Sequence, residues 1–211
     1  MNIEVPVLSL VTDRKRCGGR PIEDIVDQAV SGGVNLVQLR EKDLSSRELL
    51  TLSIKIRAIT SGRALLFIND RVDIAMVCNA DGVQLGEEGL PIREVRKLVG
   101  KDMLIGRSVH SITSAETAQE NGADLLVVGT IFETASHPEG TLAGLSLIEE
   151  ITRTVVIPIV GIGGITVENA SDVVKSGAKG IATITSISLS PNPEYAAQTL
   201  MSELEKTWLS D

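Results

Sequence analysis

Aromatic residues are almost missing from this chain: Phe67, Phe132, Tyr195 and Trp208 make up 2 % of 211 residues. Any core must therefore be built from Ile, Val, Leu and Ala, which dominate a hydrophobic share of 43 %. Cysteine is equally scarce. Cys17 and Cys78 are too few for a disulfide framework. Positive charge is in deficit, with 20 Lys and Arg against 28 Asp and Glu and a net charge of −8. Such a surface repels nucleic acid and anionic membranes, so a phosphorylated ligand has to be held by local donors. No apolar run approaches membrane-spanning length. Met1–Pro6 lacks the basic start and apolar stretch of a signal peptide, so a cytoplasmic protein is expected.

What is present is alternation. Short apolar runs at Val7–Thr12, Val34–Leu39, Ala64–Ile68, Gly82–Leu85, Met103–Arg107, Leu125–Gly129, Val155–Val160 and Gly180–Ile184 read as buried strands. Helical segments follow at Pro21–Ser31, from Ser45 or Ser46 to about Arg57, and at Val72–Val77, Pro91–Val99, Ser114–Asn121, Leu145–Thr152, Val167–Lys175 and Pro193–Trp208. Thr130–Gly144 is the longest connection and has no helical period. SGGVNLVQL, CNADGVQLG, NGADLLVVG and SGAKGIATI repeat one theme of helix end, small residue and strand. Strands alternating with helices pair in parallel, which predicts an α/β protein with a single (β/α)8 TIM barrel spanning residues 1–211. The alternative, an open doubly wound sheet, has no need of an eighth strand followed by a helix. Nothing in the sequence excludes an assembly of identical copies.

The most informative stretch runs from Val155 to Ser188. A β-branched run gives way to Gly161, Gly163 and Gly164, then to Thr166 as a candidate N-cap, a helix, and a second buried run, Gly180–Ile184, that gives way to Thr185-Ser186. Glycines let backbone N–H groups close on an anion, and a helix N-terminus favours its charge. Two such loops late in a β/α chain are where a barrel commonly holds phosphate. A dinucleotide-binding fingerprint is the rival, but too little chain follows Gly161 for the rest of that fold.

In a barrel of this kind the chemistry lies just after each strand. Gln38, Arg40 and Lys42 follow the second strand and suit a mono- or diphosphate together with a heterocycle edge. Asn69 and Asp70 follow the third, as ligands for Mg²⁺ shared with substrate phosphates or as an N-cap for the next helix. Ser108 and His110 follow the fifth strand, and Thr134, Ser136 and His137 the sixth. His110 and His137 are the only histidines, and either suits a proton transfer near neutral pH if it is more than a solvated loop residue.

The strings QLREK, FINDR, ADGVQLG, IGRSVHS, GTIFET, IPIVGIGGIT and GAKGIATITSIS resemble the thiamine phosphate synthase and TenI family over almost the whole chain. The resemblance implies a barrel whose Gly163, Gly164, Ile184 and Thr185 hold thiazole phosphate. It also implies that Gln38, Arg40, Lys42, Asn69 and Ser108 contact a pyrimidine diphosphate, with Asp70 as a Mg²⁺ ligand. Departures affect both branches of the family. Where synthases carry a second metal-binding Asp, this chain has Gly89 in Gly86-Glu87-Glu88-Gly89, and Glu88 starts one residue early. His137 stands in place of a synthase Lys, and Thr130 in place of the TenI tautomerase histidine. Arg107 and the FET string are TenI-like. The expectation is therefore a thiamine-pathway enzyme acting on a small phosphorylated heterocycle. A metal-free thiazole tautomerase comes first, with His137 or His110 moving the proton and Arg107 holding a carboxylate. A Mg²⁺-dependent synthase is the second reading and a non-catalytic thiazole phosphate binder the third.

Overall fold

A computed structural model describes residues 3–134 and 142–209. Eight strands, β1 (Val7–Val11), β2 (Leu36–Leu39), β3 (Leu65–Asn69), β4 (Gly82–Leu85), β5 (Leu104–Val109), β6 (Leu125–Val128), β7 (Ile159–Ile162) and β8 (Gly180–Thr183), close into one parallel barrel in chain order. The ring is sealed where β1 pairs β8, with Val7 opposite Gly180 and Leu10 opposite Thr183. The helices are α1 (Ile22–Ser31), α2 (Ser46–Thr60), α3 (Val72–Val77), α4 (Ile92–Val99), α5 (Ile112–Glu120), α6 (Gly144–Ile151), α7 (Ala170–Lys175), α8 (Thr185–Ser188) and α9 (Pro193–Trp208). This is the (β/α)8 TIM barrel the alternation predicts.

Side chains alternate across each strand, so two cores form. Val7, Val11, Leu36, Phe67, Leu104, Leu125, Val160 and Ala182 fill the barrel. Leu8, Leu10, Val37, Leu66, Ile105, Leu126 and Ile181 belong to the larger layer against the helices. Phe67 is the one aromatic inside the barrel, and glycine makes its room. A Cβ on Gly82 would fall 2.5 Å from the Phe67 ring, and one on Gly106 would fall 2.0 Å from Gln84 Oε1.

Local signals set the helix ends. Ser45 and Glu48 form a reciprocal capping box at α2. Ser111 and Ser114 do the same at α5, so that helix starts before the predicted Ser114. Most other boundaries shift by a residue or a few, and two of the shifts have a visible cause. Residues 155–157 are not strand: Val156 is 93 % exposed, and the N–H groups of Val156 and Ile157 are taken by Gln119 Oε1. Pro158, which has no N–H, precedes β7. Thr166 does not cap α7 either. Its own N–H is held by Asn169 Oδ1 at 2.8 Å, in a turn that delays the helix to Ala170.

Candidate active site

The C-terminal ends of the strands open on a cavity of about 480 Å³, a size suited to a small ligand. Gln38, Arg40 and Lys42 reach it from β2, Asn69 and Asp70 from β3, and Gly86 and Glu87 from β4. Ser108 and His110 reach it from β5, and Thr130, Glu133 and Thr134 from beyond β6. Gly163, Gly164 and Ile165 come from β7, and Ile184 and Thr185 from β8. Sequence-predicted residues separated by more than a hundred positions thus line one space. Ser136 and His137 lie outside the described residues.

One side of the cavity is a polar relay. Gln38 Nε2 donates to Asn69 Oδ1 at 2.8 Å, and Asn69 Nδ2 donates to Asp70 Oδ2 at 2.7 Å. Asp70 Oδ1 accepts the Gly86 N–H at 2.8 Å. Among the described residues, Asp70 is one of two non-glycine residues with left-handed backbone, at φ 56°. That strained turn aims its carboxylate at the start of the β4–α4 loop instead of at a helix N-cap. Each oxygen keeps a second lone pair, so the carboxylate can still accept from, or ligate, a bound group. Beneath Ser108, the Gln84 side chain is 2 % exposed and donates to Ser108 Oγ at 3.1 Å. The sequence reading passed over Gln84, although a polar residue in a short buried strand was the available signal.

The other side is a cradle of backbone. Gly163 and Gly164 have φ of 108° and 62°, where L side chains are strained. A Cβ on Gly163 would meet Thr130 Cγ2 at 2.6 Å, and one on Gly164 would meet the Glu133 carbonyl at 2.5 Å. The loop's acceptors are turned to the protein. Gly163 O accepts from the Phe132 N–H at 3.0 Å, Gly164 O from Asn169 Nδ2 at 3.0 Å, and Ile165 O from Ser186 Oγ at 2.5 Å. No acceptor among the described residues takes the N–H groups of Gly164 or Ile165. The next loop leads into α8, a short helix the sequence reading did not assign. Its first-turn N–H groups also lack partners within the helix. Donors without acceptors at the end of a barrel are what an anion requires.

His110 lines the cavity; its Nδ1 donates to the Gly129 carbonyl, and its Nε2 stands 3.6 Å from Glu87 Oε2. Arg107, by contrast, is not in the cavity. It alternates with Ser108 on β5, so it points out of the barrel into a groove between α4 and α5. There it donates to Glu87 O at 2.5 Å and Leu90 O at 3.2 Å. The expected grip of Arg107 on a substrate carboxylate is therefore corrected by strand parity.

The donor set bears on a metal in a specific way. Among the described residues no three His, Cys, Asp or Glu side chains are grouped to hold an ion. A Cβ on Gly89 would lie 3.2 Å from Asp70 Oδ1, so a carboxylate there would adjoin Asp70, and glycine leaves that place without one. Glu87 faces the cavity, whereas Glu88 is exposed and is not among its lining residues. One carboxylate fits Mg²⁺ only when diphosphate oxygens and water complete its shell.

Comparison with known proteins gives one consistent result. A family model described as thiamine monophosphate synthase matches residues 8–187. A thiamine-phosphate synthase from Roseiflexus sp. is 38 % identical over 196 residues, which is 92 % of this chain and 83 % of that protein. One from Clostridium acetobutylicum is 44 % identical over 181 residues, covering 85 % of this chain and 86 % of the relative. Among solved structures, a thiamine phosphate pyrophosphorylase from Pyrococcus furiosus matches with a TM-score of 0.89 and 35 % identity, covering 95 % of this chain and 96 % of that one.

Proposed function

The chain belongs to the thiamine monophosphate synthase family, and from that membership we propose that it joins an aminopyrimidine diphosphate to thiazole phosphate and releases pyrophosphate. This exchanges the order of the two enzyme readings drawn from the sequence. The relatives above are named as synthases, and Arg107, the tautomerase's carboxylate partner in that reading, faces away from the cavity.

The observation that carries the proposal is the division of one cavity into two unlike halves. The cradle on β7 and β8 offers N–H donors to a phosphate monoester. Ile184 and Thr185 flank that cradle, and Thr134 lies beside it as a further polar contact. The half on β2 to β5 offers Gln38 and Asn69 to a heterocycle edge, with Arg40 and Lys42 for a diphosphate. Ser108, oriented by Gln84, adds a hydroxyl to that half. Asp70, together with diphosphate oxygens, would hold Mg²⁺, which when bound would supply neutralising charge for the leaving group.

The chemistry asks little proton transfer of these residues. The bond from carbon to diphosphate oxygen breaks, and its electron pair leaves with pyrophosphate. The thiazole ring nitrogen forms the new bond with its own lone pair and carries no proton to remove. Arg40 and Lys42 stabilise the charge that develops on the departing oxygens. Holding both partners in one cavity makes the encounter intramolecular in effect. A general base is not required, so a threonine at position 130 is no obstacle.

The test is turnover with purified protein. Pyrophosphate release that requires both substrates and Mg²⁺ is the expected result. Conversion of thiazole carboxylate phosphate alone, without metal and without pyrophosphate release, would restore the tautomerase. Saturable thiazole phosphate binding with neither reaction would leave a binder.

A further inference from the structure

Arg107 lies outside the barrel wall, yet it touches the loop that forms part of the cavity's rim. The segment from Gly86 to Leu90 leaves β4 with a single internal turn bond, Gly89 N–H to Gly86 O at 2.9 Å. Two glycines and few internal bonds give such a loop little stiffness of its own. Its fixed points come from elsewhere. On the inner side the Gly86 N–H is bound to Asp70 Oδ1 at 2.8 Å, and Glu87 presents its carboxylate toward His110 Nε2 at 3.6 Å. On the outer side Arg107 spans the loop, with Nη2 on Glu87 O at 2.5 Å and Nη1 on Leu90 O at 3.2 Å.

We infer that Arg107 is a positioning residue that acts from outside the barrel, clamping the β4–α4 loop so that Gly86 and Glu87 hold the Asp70 side of the cavity in shape for a metal-bound diphosphate. The chemistry of the guanidinium suits this task. Its rigid fork can bridge two carbonyls three residues apart, which a single ammonium cannot do with the same geometry. The neighbouring strand position explains the choice of residue. Ser108 points in and Arg107 out, so one dipeptide of β5 supplies a cavity hydroxyl and a clamp for the loop beside it. In a chain with glycine at position 89, the loop position that adjoins Asp70 carries no carboxylate through which a bound metal could organise it. An external clamp substitutes for that organisation.

The inference rests on the diphosphate half of the function proposed above, and its test separates the two. Magnesium pyrophosphate and thiazole phosphate serve as calorimetric probes of the two halves in wild type, Arg107→Ala and Arg107→Lys. The expected result is a loss of about tenfold or more in magnesium pyrophosphate affinity for Arg107→Ala, with thiazole phosphate affinity unchanged. Arg107→Lys, able to reach one carbonyl, should fall between. A general loss of structure would weaken both probes together and would overturn the inference. So would unchanged magnesium pyrophosphate binding in Arg107→Ala alongside normal wild-type binding and turnover, and the synthase reading would then stand. Wild-type protein that neither binds magnesium pyrophosphate nor releases pyrophosphate would remove the synthase reading, and this inference with it.

Discussion

Gly164 is the sharpest point at which the cradle can be tested, because two separate costs of a side chain there are visible. Its φ of 62° is left-handed, which costs an L residue about 1 kcal/mol. The second cost is contact. A Cβ would sit 2.5 Å from Glu133 O, 2.8 Å from Phe132 Cβ and 2.9 Å from Phe132 O. Two of those atoms are backbone and cannot rotate aside, so relief requires the β6 and β7 loops to part, at roughly 1–3 kcal/mol. Loop relaxation without loss of stability, the easier outcome, is thus unavailable. If the loops part, the Gly164 N–H moves off the phosphate. Loss of one hydrogen bond to a charged group is worth about 1.5–3 kcal/mol, or roughly 10- to 150-fold in affinity. Gly62→Ala is the control: its φ is 72°, and an added Cβ meets nothing within 4 Å. Gly164→Ala should lower the melting temperature clearly more than Gly62→Ala does, and should weaken thiazole phosphate binding in calorimetry where Gly62→Ala does not. Equal melting shifts with wild-type phosphate affinity would refute the cradle.

Three further outcomes follow from the site and its surroundings. Gly89→Asp would place a carboxylate beside Asp70, and should tighten magnesium pyrophosphate binding by about tenfold or more in calorimetry, at some cost in thermal stability of the metal-free protein; unchanged affinity would show that position 89 does not face the metal. His110→Asn should leave pyrophosphate release far above the roughly 10²–10⁴-fold loss that follows removal of a general acid–base; a loss of that size in steady-state rates would return proton transfer, and the tautomerase, to consideration. Burial pushes the Glu41 carboxyl above its ordinary value, against hydrogen bonds from Thr12 and Arg14 that pull it down. The folded chain therefore holds this proton more readily than the unfolded one, so the contribution to stability is full below the ordinary carboxylate range and is lost as pH rises through the raised value. Melting curves from acid to neutral pH should show wild type losing ground to Glu41→Gln as pH rises; a constant difference, or the reverse slope, contradicts this.

The barrel was legible because each of its strands is short, apolar and bounded by small residues, and parallel strands buried on both faces need no finer pattern. The same uniformity hid the start of β7. Val155 to Val160 is as apolar as any strand, and only the Pro158 ring and the side chain of Gln119, thirty-seven residues from Val156, decide that pairing begins at Ile159. The sequence held the parity that turns Arg107 outward, since Ser108 and Arg107 cannot both face in. Choosing between them required knowing which face of β5 meets Gln84, and that is a matter of register across two strands. The short helix α8 escaped notice for a similar reason: Thr185-Ser186-Ile187-Ser188 has low helical preference, and its turn depends on tertiary contacts such as the Ser188 hydroxyl on Arg16 O.

The two halves of the cavity also answer the problem posed by the chain's charge. Under the proposed function a protein of net −8 has to bind two phosphorylated compounds, and it cannot draw on its overall field to do so. The cradle avoids the difficulty by using backbone N–H groups, whose partial charges are fixed in direction and add nothing to the net balance. The diphosphate half has only Arg40 and Lys42 as cavity cations among the described residues, and they face Asp70, Glu87 and Glu133 in the same space. A trianionic leaving group brought into the cavity alone would meet three carboxylates against two cations. Mg²⁺ bound with it would reverse the balance, and Asp70 would then serve as a ligand instead of a source of repulsion. The relay from Gln38 through Asn69 to Asp70 then has a clear physical sense. It holds the Asp70 carboxylate in place, and the β4–α4 loop closes the relay at Gly86, the point through which the inferred Arg107 clamp would act on the diphosphate half.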